Sequence, residues 1–233
     1  MAGNKIKILS TRLLNSELLQ KAGLQDMDVE ANAFIKIIPD VSQETDAFIQ
    51  SLALQPATVI FTSINAVNVV TSRLTIAAPP WKIFSIGGAT KNALLYFFDA
   101  SSIIADAKNA ILLSEKIIAY GEIKEVVFFC GNRRMNHLPE RLGTANIKVN
   151  ELLVYRTIET PVITTMEYEG ILFFSPSAAD SFFSTNTIPV HTVLFSIGES
   201  TTAAIQSYCG NKVITSQWPA ESNMLEMVAD YFK

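Results

Sequence analysis

Charge is scarce in this chain. Asp, Glu, Lys and Arg make up 17% of its 233 residues while 49% are hydrophobic, against roughly 25% charged in an average soluble domain. A composition this apolar excludes intrinsic disorder, which persists only where too little apolar surface is available for burial. Cations are also in the minority, 18 Lys+Arg against 22 Asp+Glu for a net charge of −4, and they form no dense run. A general nucleic-acid surface needs such a run, so no nucleic acid is expected as a partner and an anionic ligand has to be held locally. Cysteine and histidine are rarer still. Cys130 and Cys209 have no neighbour at metal-ligand spacing, and His137 and His191 lie far apart in sequence, which supports neither a metal site nor a disulfide framework.

Long hydrophobic runs are missing as well. Lys5 and Lys7 are followed by only four uncharged residues before Arg12, too few for the apolar centre of a signal peptide; a reducing cytoplasm is the expected location. Ala47 to Ser72 is free of charge, but Gln50, Gln55, Pro56, Asn65 and Asn68 interrupt it. Each polar group would need a partner inside lipid, so the stretch reads as a helix, a turn at Pro56 and a buried strand, with no membrane partner.

What is present is a series of short β-rich apolar runs, each followed by small polar residues and an amphipathic segment. They are Lys5–Leu9, Ala57–Phe61, Lys82–Ile86, Ser102–Ala105, Glu125–Cys130, Gly170–Phe174, Thr192–Ile197 and Lys212–Thr215. This is the pattern of parallel βα units, and 233 residues suit two small domains of about 100–150 residues better than one. Eight runs would divide evenly into two sheets.

The chain also repeats itself. Val59–Val67 (VIFTSINAV) resembles Ile171–Ala179 (ILFFSPSAA), and Phe84–Ala93 (FSIGGATKNA) resembles Phe195–Ala204 (FSIGESTTAA), at offsets of 112 and 111 residues. Ile103–Leu113 (IIADAKNAILL) matches the segment starting at Ile214 at the same spacing. The next unit, Glu125–Arg134 (EVVFFCGNRR), has no later counterpart; its best match is Ile6–Arg12 (IKILSTR). The second half thus takes its missing unit from the N-terminus. The expectation is an α/β protein of two similar domains, each a parallel sheet flanked by helices: residues 1–37 plus 158–233 form a discontinuous domain and residues 40–152 the other. The period-2 segments 33–39 and 151–161, both ending near prolines, would form a two-stranded β-ladder hinge. In the second of them Leu153, Tyr155 and Thr157 alternate with Val154, Arg156 and Ile158. A hinge of this kind places a cleft between the sheets.

In parallel α/β sheets ligands bind beyond the carboxyl ends of the strands. The loops expected there are TSIN (Thr62–Asn65), GGAT (Gly87–Thr90), SPSA (Ser175–Ala178) and GESTT (Gly198–Thr202). Their free N–H groups and the helix dipoles behind them favour carboxylate or phosphate without a basic patch. Taken singly, these residues also read as ordinary helix caps worth about 1 kcal/mol each. No loop matches a phosphate-binding P-loop or a dinucleotide fingerprint.

Six segments in order, ILSTR, FTSINAV, SIGGATKNAL, VYRT, FFSPSAADSFF and SIGESTTAAI, resemble the uroporphyrinogen-III synthase family, over nearly the whole chain. The resemblance implies a cofactor-free hydro-lyase of tetrapyrrole and heme biosynthesis. It would cyclise hydroxymethylbilane to uroporphyrinogen III with loss of water and inversion of ring D. By resemblance Tyr155, the tyrosine of VYRT, is the catalytic acid; a hinge-packing aromatic is the other reading of the same residue. The substrate carries eight carboxylates. Arg12, Thr62, Ser63, Asn65, Gly88, Ala89, Thr90, Ser175, Pro176, Ser177, Ala178, Gly198, Ser200, Thr201 and Thr202 would contact it, with Arg133 or Arg134 as further charge partners. The partner is then a linear tetrapyrrole, and the enzyme of the preceding step is a candidate second partner. Leu13 and Glu199 depart from the family pattern. Two alternatives share these features: a two-lobed small-molecule-binding protein, and a tetrapyrrole-binding homologue without turnover.

Overall fold

The computed structural model describes residues 5–218 and 220–233, and the chain divides into two compact units, Met1–Lys36 with Ile158–Lys233, and Ile37–Thr157. In the first unit the strands β1 (Ile6–Ser10), β2 (Met27–Ala31), β9 (Gly170–Phe173), β10 (Val193–Ser196) and β11 (Val213–Thr215) form one sheet in the order β11-β10-β9-β1-β2. Every pairing in it is parallel. Helices α1 (Ser16–Leu24) and α9 (Glu221–Phe232) bury Ala22, Met224, Leu225 and Val228 with Ile8, Leu172 and Phe195 on one face. Helices α7 (Pro176–Phe183) and α8 (Glu199–Gln206) bury Ala178, Phe182 and Ile205 with Leu9, Ile171, Phe173 and Leu194 on the other. Strands covered on both faces need unbroken apolar runs, and GILF and VLFS are fully buried runs of that kind.

The sheet of the second unit runs β3-β8-β7-β4-β5-β6, from β3 (Ile35–Pro39), β4 (Ala57–Phe61), β5 (Trp81–Ile86), β6 (Ile103–Ala107), β7 (Glu125–Gly131) and β8 (Lys148–Glu159). The pairings from β8 through β6 are parallel. Residues of α2 (Gln43–Ala53), α3 (Ile64–Thr71) and α4 (Ala89–Phe97) pack with Val59, Phe61, Val127 and Phe129 on one face, where the Phe61 and Phe129 rings stack at 5.0 Å. Helices α5 (Ala110–Tyr120) and α6 (His137–Thr144) cover Ile60, Phe84 and Phe128 on the other. Local chemistry starts and stops these helices. Ser42, Ser63, Asn109 and Ser175 each cap a helix start with a side-chain oxygen, and Gly121, at φ 78°, ends α5 in the left-handed region that glycine adopts without strain.

Five strands of each unit follow the same spatial order. The series β6-β5-β4-β7-β8 in one corresponds to β11-β10-β9-β1-β2 in the other, so β1 and β2 hold the places that β7 and β8 hold in the second unit. The parallel, helix-flanked architecture read from the sequence is present, but the sheets have five and six strands instead of four each. The strand absent from that reading, Met27–Ala31, has the sequence MDVEA and lies at a sheet edge, where only Met27 is buried. Its acidic residues fall at alternate positions that the edge leaves partly solvated, which erases the apolar run a central strand would show. The reading of residues 47–72 stands as a helix ending at Ala53, a turn and the strand Ala57–Phe61, with α3 added after it.

Candidate active site

In each sheet the connections leaving two adjacent central strands turn to opposite faces. In the second unit the chain leaves β4 into α3 on one face and β7 into α6 on the other, so the adjacent strands β4 and β7 splay their carboxyl-end loops apart. Such a switch point is where open α/β sheets bind ligands. The loops bordering it carry Thr62 and Ser63 after β4, and Asn132 just beyond Gly131 at the end of β7. The equivalent point in the first unit, between β9 and β1, is bordered by Phe174 and Ser175 on one side and Thr11 and Arg12 on the other.

At the switch point of the second unit stands Tyr155, half-buried, its ring packed against the core cluster that contains Val127, Phe129 and Val154. The side chains of Ser63 and Asn65 are its polar neighbours and act to lower the pKa of its phenol. Burial holds the phenol above its ordinary value; the Ser63 side chain pulls the other way, Cys130 adds a smaller upward push and Asn65 a smaller downward one. The hydroxyl is therefore protonated across neutral pH, with two polar neighbours able to support a phenolate that forms beside them. Cys130 itself is buried, and the same apolar surroundings raise its thiol, which leaves it a packing residue and not a nucleophile.

The period-2 alternation expected around Tyr155 is broken. Cys130 pairs with Leu153 but Gly131 pairs with Tyr155, so β8 holds one extra residue, Val154, at that point. The bulge turns Val154 and Tyr155 toward the same cluster, whereas simple alternation puts them on opposite faces. Asn132 secures the distorted segment: its N–H donates to the Tyr155 carbonyl (3.3 Å), its Oδ1 accepts from the Thr157 N–H (2.8 Å) and its Nδ2 donates to the Thr157 carbonyl (3.3 Å). Sequence reasoning missed Gly131 and Asn132; the signal available was the GN pair closing the apolar run Glu125–Cys130.

The other expected residues fall at the carboxyl ends of strands in their own units. Ser63 accepts from the Asn65 N–H at 3.1 Å as the cap of α3, and Ser175 accepts from the Ala178 N–H at 3.1 Å as the cap of α7, with Pro176 at the first helical position. Gly88 and Gly198 occupy the cap positions of α4 and α8, and a methyl group on either would meet nothing within 4 Å. Ala89 and Ser200 are exposed beside them, and Thr62 is half-buried. Thr90, Ser177, Ala178 and Thr201 turn inward and are buried in the first turns of their helices. The Thr202 hydroxyl bonds those of Ser196 and Thr215, so it ties β10 and β11 to α8.

The arginines are already engaged. Arg12 pairs with Glu221 at 3.1 Å at the start of α9 and lies 6.0 Å from the Phe174 ring centroid, and Arg134 pairs with Glu151. Glu199 is exposed in the first turn of α8, where the helix dipole favours it. Trp218 is exposed and its neighbour Pro219 lies outside the described residues. Two surface depressions, of about 500 Å³ beside Asp106, Leu112 and Lys116 and about 260 Å³ beside Ile111 and Arg141, include none of the expected site residues. Among the described residues no helix is long and apolar enough to cross a membrane.

No curated protein matches the chain. Solved structures do: a uroporphyrinogen-III synthetase from Helicobacter pylori aligns with a TM-score of 0.68 at 15% identity over 97% of this chain and 99% of that one. A mutant uroporphyrinogen III synthase from the extremely thermophilic bacterium Thermus thermophilus aligns with a TM-score of 0.67 at 13% identity over 98% and 100%. The wild-type Thermus thermophilus enzyme in another crystal form gives 0.53 at 12% identity over 97% and 98%. At these identities the likeness establishes the two-domain fold. The sequence profile described as uroporphyrinogen-III synthase HemD spans residues 16–226, and on that match the chain belongs to the uroporphyrinogen-III synthase family, enzymes of tetrapyrrole and heme biosynthesis.

Proposed function

We propose that this chain closes hydroxymethylbilane to uroporphyrinogen III, with inversion of ring D and release of water, at the carboxyl-end loops of its parallel strands. The observation that carries the reading is Tyr155: a protonated, half-buried phenol at a topological switch point, with Ser63 and Asn65 as the polar side chains that act on it.

The reaction begins when the terminal hydroxymethyl carbon loses its oxygen. The pyrrole nitrogen supplies the electron pair, the C–O bond breaks, and the departing hydroxide takes a proton to leave as water. Tyr155 is suited to give that proton. It holds the proton at neutral pH, and Ser63 and Asn65 stabilise the resulting phenolate until solvent reprotonates it. The electrophile left behind then needs positioning more than further chemistry.

Positioning falls to the substrate's carboxylates. Helix N-termini at Ser63, Gly88, Ser175 and Gly198 offer N–H donors spread over two units, and open space over the two glycines lets a carboxylate approach the backbone. The Arg12–Glu221 pair is solvent-exposed and worth at most about 1 kcal/mol, so a substrate carboxylate can displace Glu221. The lability of the linear substrate favours direct supply by the enzyme of the preceding step.

Freshly prepared hydroxymethylbilane incubated with the purified protein, followed by chromatographic separation of the isomers, tests the reading. Accumulation of the type III isomer is expected. Type I alone would leave a tetrapyrrole-binding homologue without turnover, and absence of binding as well would leave a receptor for some other small molecule.

A further inference from the structure

Tyr155 reaches its position only because something is missing opposite it. At the end of β7, a Cβ built on Gly131 would collide with Cζ and Cε2 of the Tyr155 ring and fall 2.8 Å from its hydroxyl oxygen. No side chain at residue 131 coexists with the ring as it lies. The clash involves a ring held by core packing and a bulged backbone, so neither partner is the free end of a flexible chain.

We infer that Gly131 is a positioning residue for Tyr155: its bare backbone, opposite the bulge at Val154 and clamped through Asn132, forms the floor on which the phenol ring rests and is aimed at Ser63. Three independent features converge on this geometry. The bulge turns the ring to the α3 side of the sheet. Asn132 bonds the backbone on both sides of Arg156, at Tyr155 and Thr157, and so prevents β8 from relaxing to regular register. Gly131 removes the one Cβ that the turned ring would strike. The inference rests on the reading of Tyr155 as proton donor for its catalytic consequence, but the placement can be measured without turnover.

A methyl group at residue 131 is expected to lift the ring out of its seat toward solvent. Ultraviolet titration of the Gly131→Ala protein, with Tyr155→Phe as the reference that isolates this phenol, should show Tyr155 ionising lower than in the parent protein, toward the ordinary tyrosine value of about 10. In the synthase assay Gly131→Ala should lose about 10²-fold in kcat, the low end of general acid catalysis, with KM near the parent value. Added to Tyr155→Phe it should cost little more, because both changes remove the same proton donor.

An unchanged Tyr155 titration in Gly131→Ala overturns the inference whatever the activity. A lowered titration combined with full turnover by Tyr155→Phe keeps the placement and removes the catalytic role. Should Gly131→Ala fail to fold, the double variant with Tyr155→Ala supplies the missing space. Recovery of folding there supports the steric pairing, and continued failure refutes it.

Discussion

Ser63 and Ser175, 112 residues apart in sequence, do the same work at the same place in two different sheets. Each follows a central strand, each adopts extended backbone, and each caps the next helix through its Oγ, with a 3.1 Å bond to the Asn65 N–H in one case and the Ala178 N–H in the other. Of the two, only Ser63 acts on a tyrosine phenol, lowering that of Tyr155. Ser63→Ala and Ser175→Ala are each expected to cost about 1 kcal/mol of stability in urea unfolding, as lost caps. In the synthase assay they should part: Ser63→Ala lowers kcat by up to about tenfold, the value of one net hydrogen bond, while Ser175→Ala acts on KM. Equal effects on kcat would argue against a special role for the Ser63–Tyr155 contact.

Tyr155→Phe keeps the ring and its packing and removes only the hydroxyl. Its kcat for the type III isomer should fall by about 10²-fold or somewhat more, the lower part of the range for general acid catalysis, since the pyrrole nitrogen already drives departure of the oxygen. KM should hardly move. Tyr155→Ala confounds the test by removing packing as well, at about 3–5 kcal/mol for a buried ring.

Tyr168 gives the first unit an alkaline limit. Its buried hydroxyl donates to Glu30 Oε2 at 2.6 Å, and burial together with that bond pushes the phenol well above its ordinary value. A group whose folded pKa is raised stabilises the fold fully below its unfolded pKa, about 10 for tyrosine, and loses that contribution as pH climbs toward the folded value. Stability measured by urea midpoint should therefore decline above about pH 10, and the decline should be shallower in Tyr168→Phe. Identical pH profiles for the two proteins would show that other groups set the limit.

Asn186 is a buried junction in the same unit. Its Nδ2 donates to the carbonyls of Val162 (2.8 Å) and Phe182 (2.9 Å), and its Oδ1 accepts from the N–H and hydroxyl of Thr164. Asn186→Ala orphans the Val162 carbonyl and the Thr164 N–H at about 1–3 kcal/mol each where water cannot reach them, while the Phe182 carbonyl keeps the backbone N–H groups of Thr185 and Asn186. Asn186→Asp keeps the acceptor but has no donor for the two carbonyls and adds a charge, so it should be at least as damaging near neutral pH. Urea unfolding of the two variants checks the order, and a neutral effect of Asn186→Asp would contradict it.

How far these features could be read from residues alone differs from element to element. Parallel strands such as Ala57–Phe61 and Gly170–Phe173 announce themselves because both faces are covered and nearly every position is apolar. The caps Ser63 and Ser175 were legible for an equally local reason, since a hydroxyl before a helix satisfies orphan N–H groups wherever the helix ends up. The recurrence of the same segments at nearly one spacing is legible in the sequence itself.

Tertiary contacts decided the rest. Met27–Ala31 is a strand because β1 pairs with it, not because its own residues demand one. The inward turn of Thr90 and Thr201 follows from packing in the first helical turn, and the engagement of Arg134 follows from Glu151 on a neighbouring strand. The placement of Tyr155 is the clearest case. Alternation along Leu153–Thr157 is a local rule, and it was overridden by one extra residue in β8, by Asn132 reaching across from β7 and by the empty space at Gly131. Chain composition and periodicity thus determined a two-fold repeated α/β protein, and the ordered motifs its family, because burial on both sheet faces and helix capping act within a few residues. The aim of the phenol was settled by strand register and by a steric gap between strands, which are properties of pairs of segments that no single stretch of sequence carries.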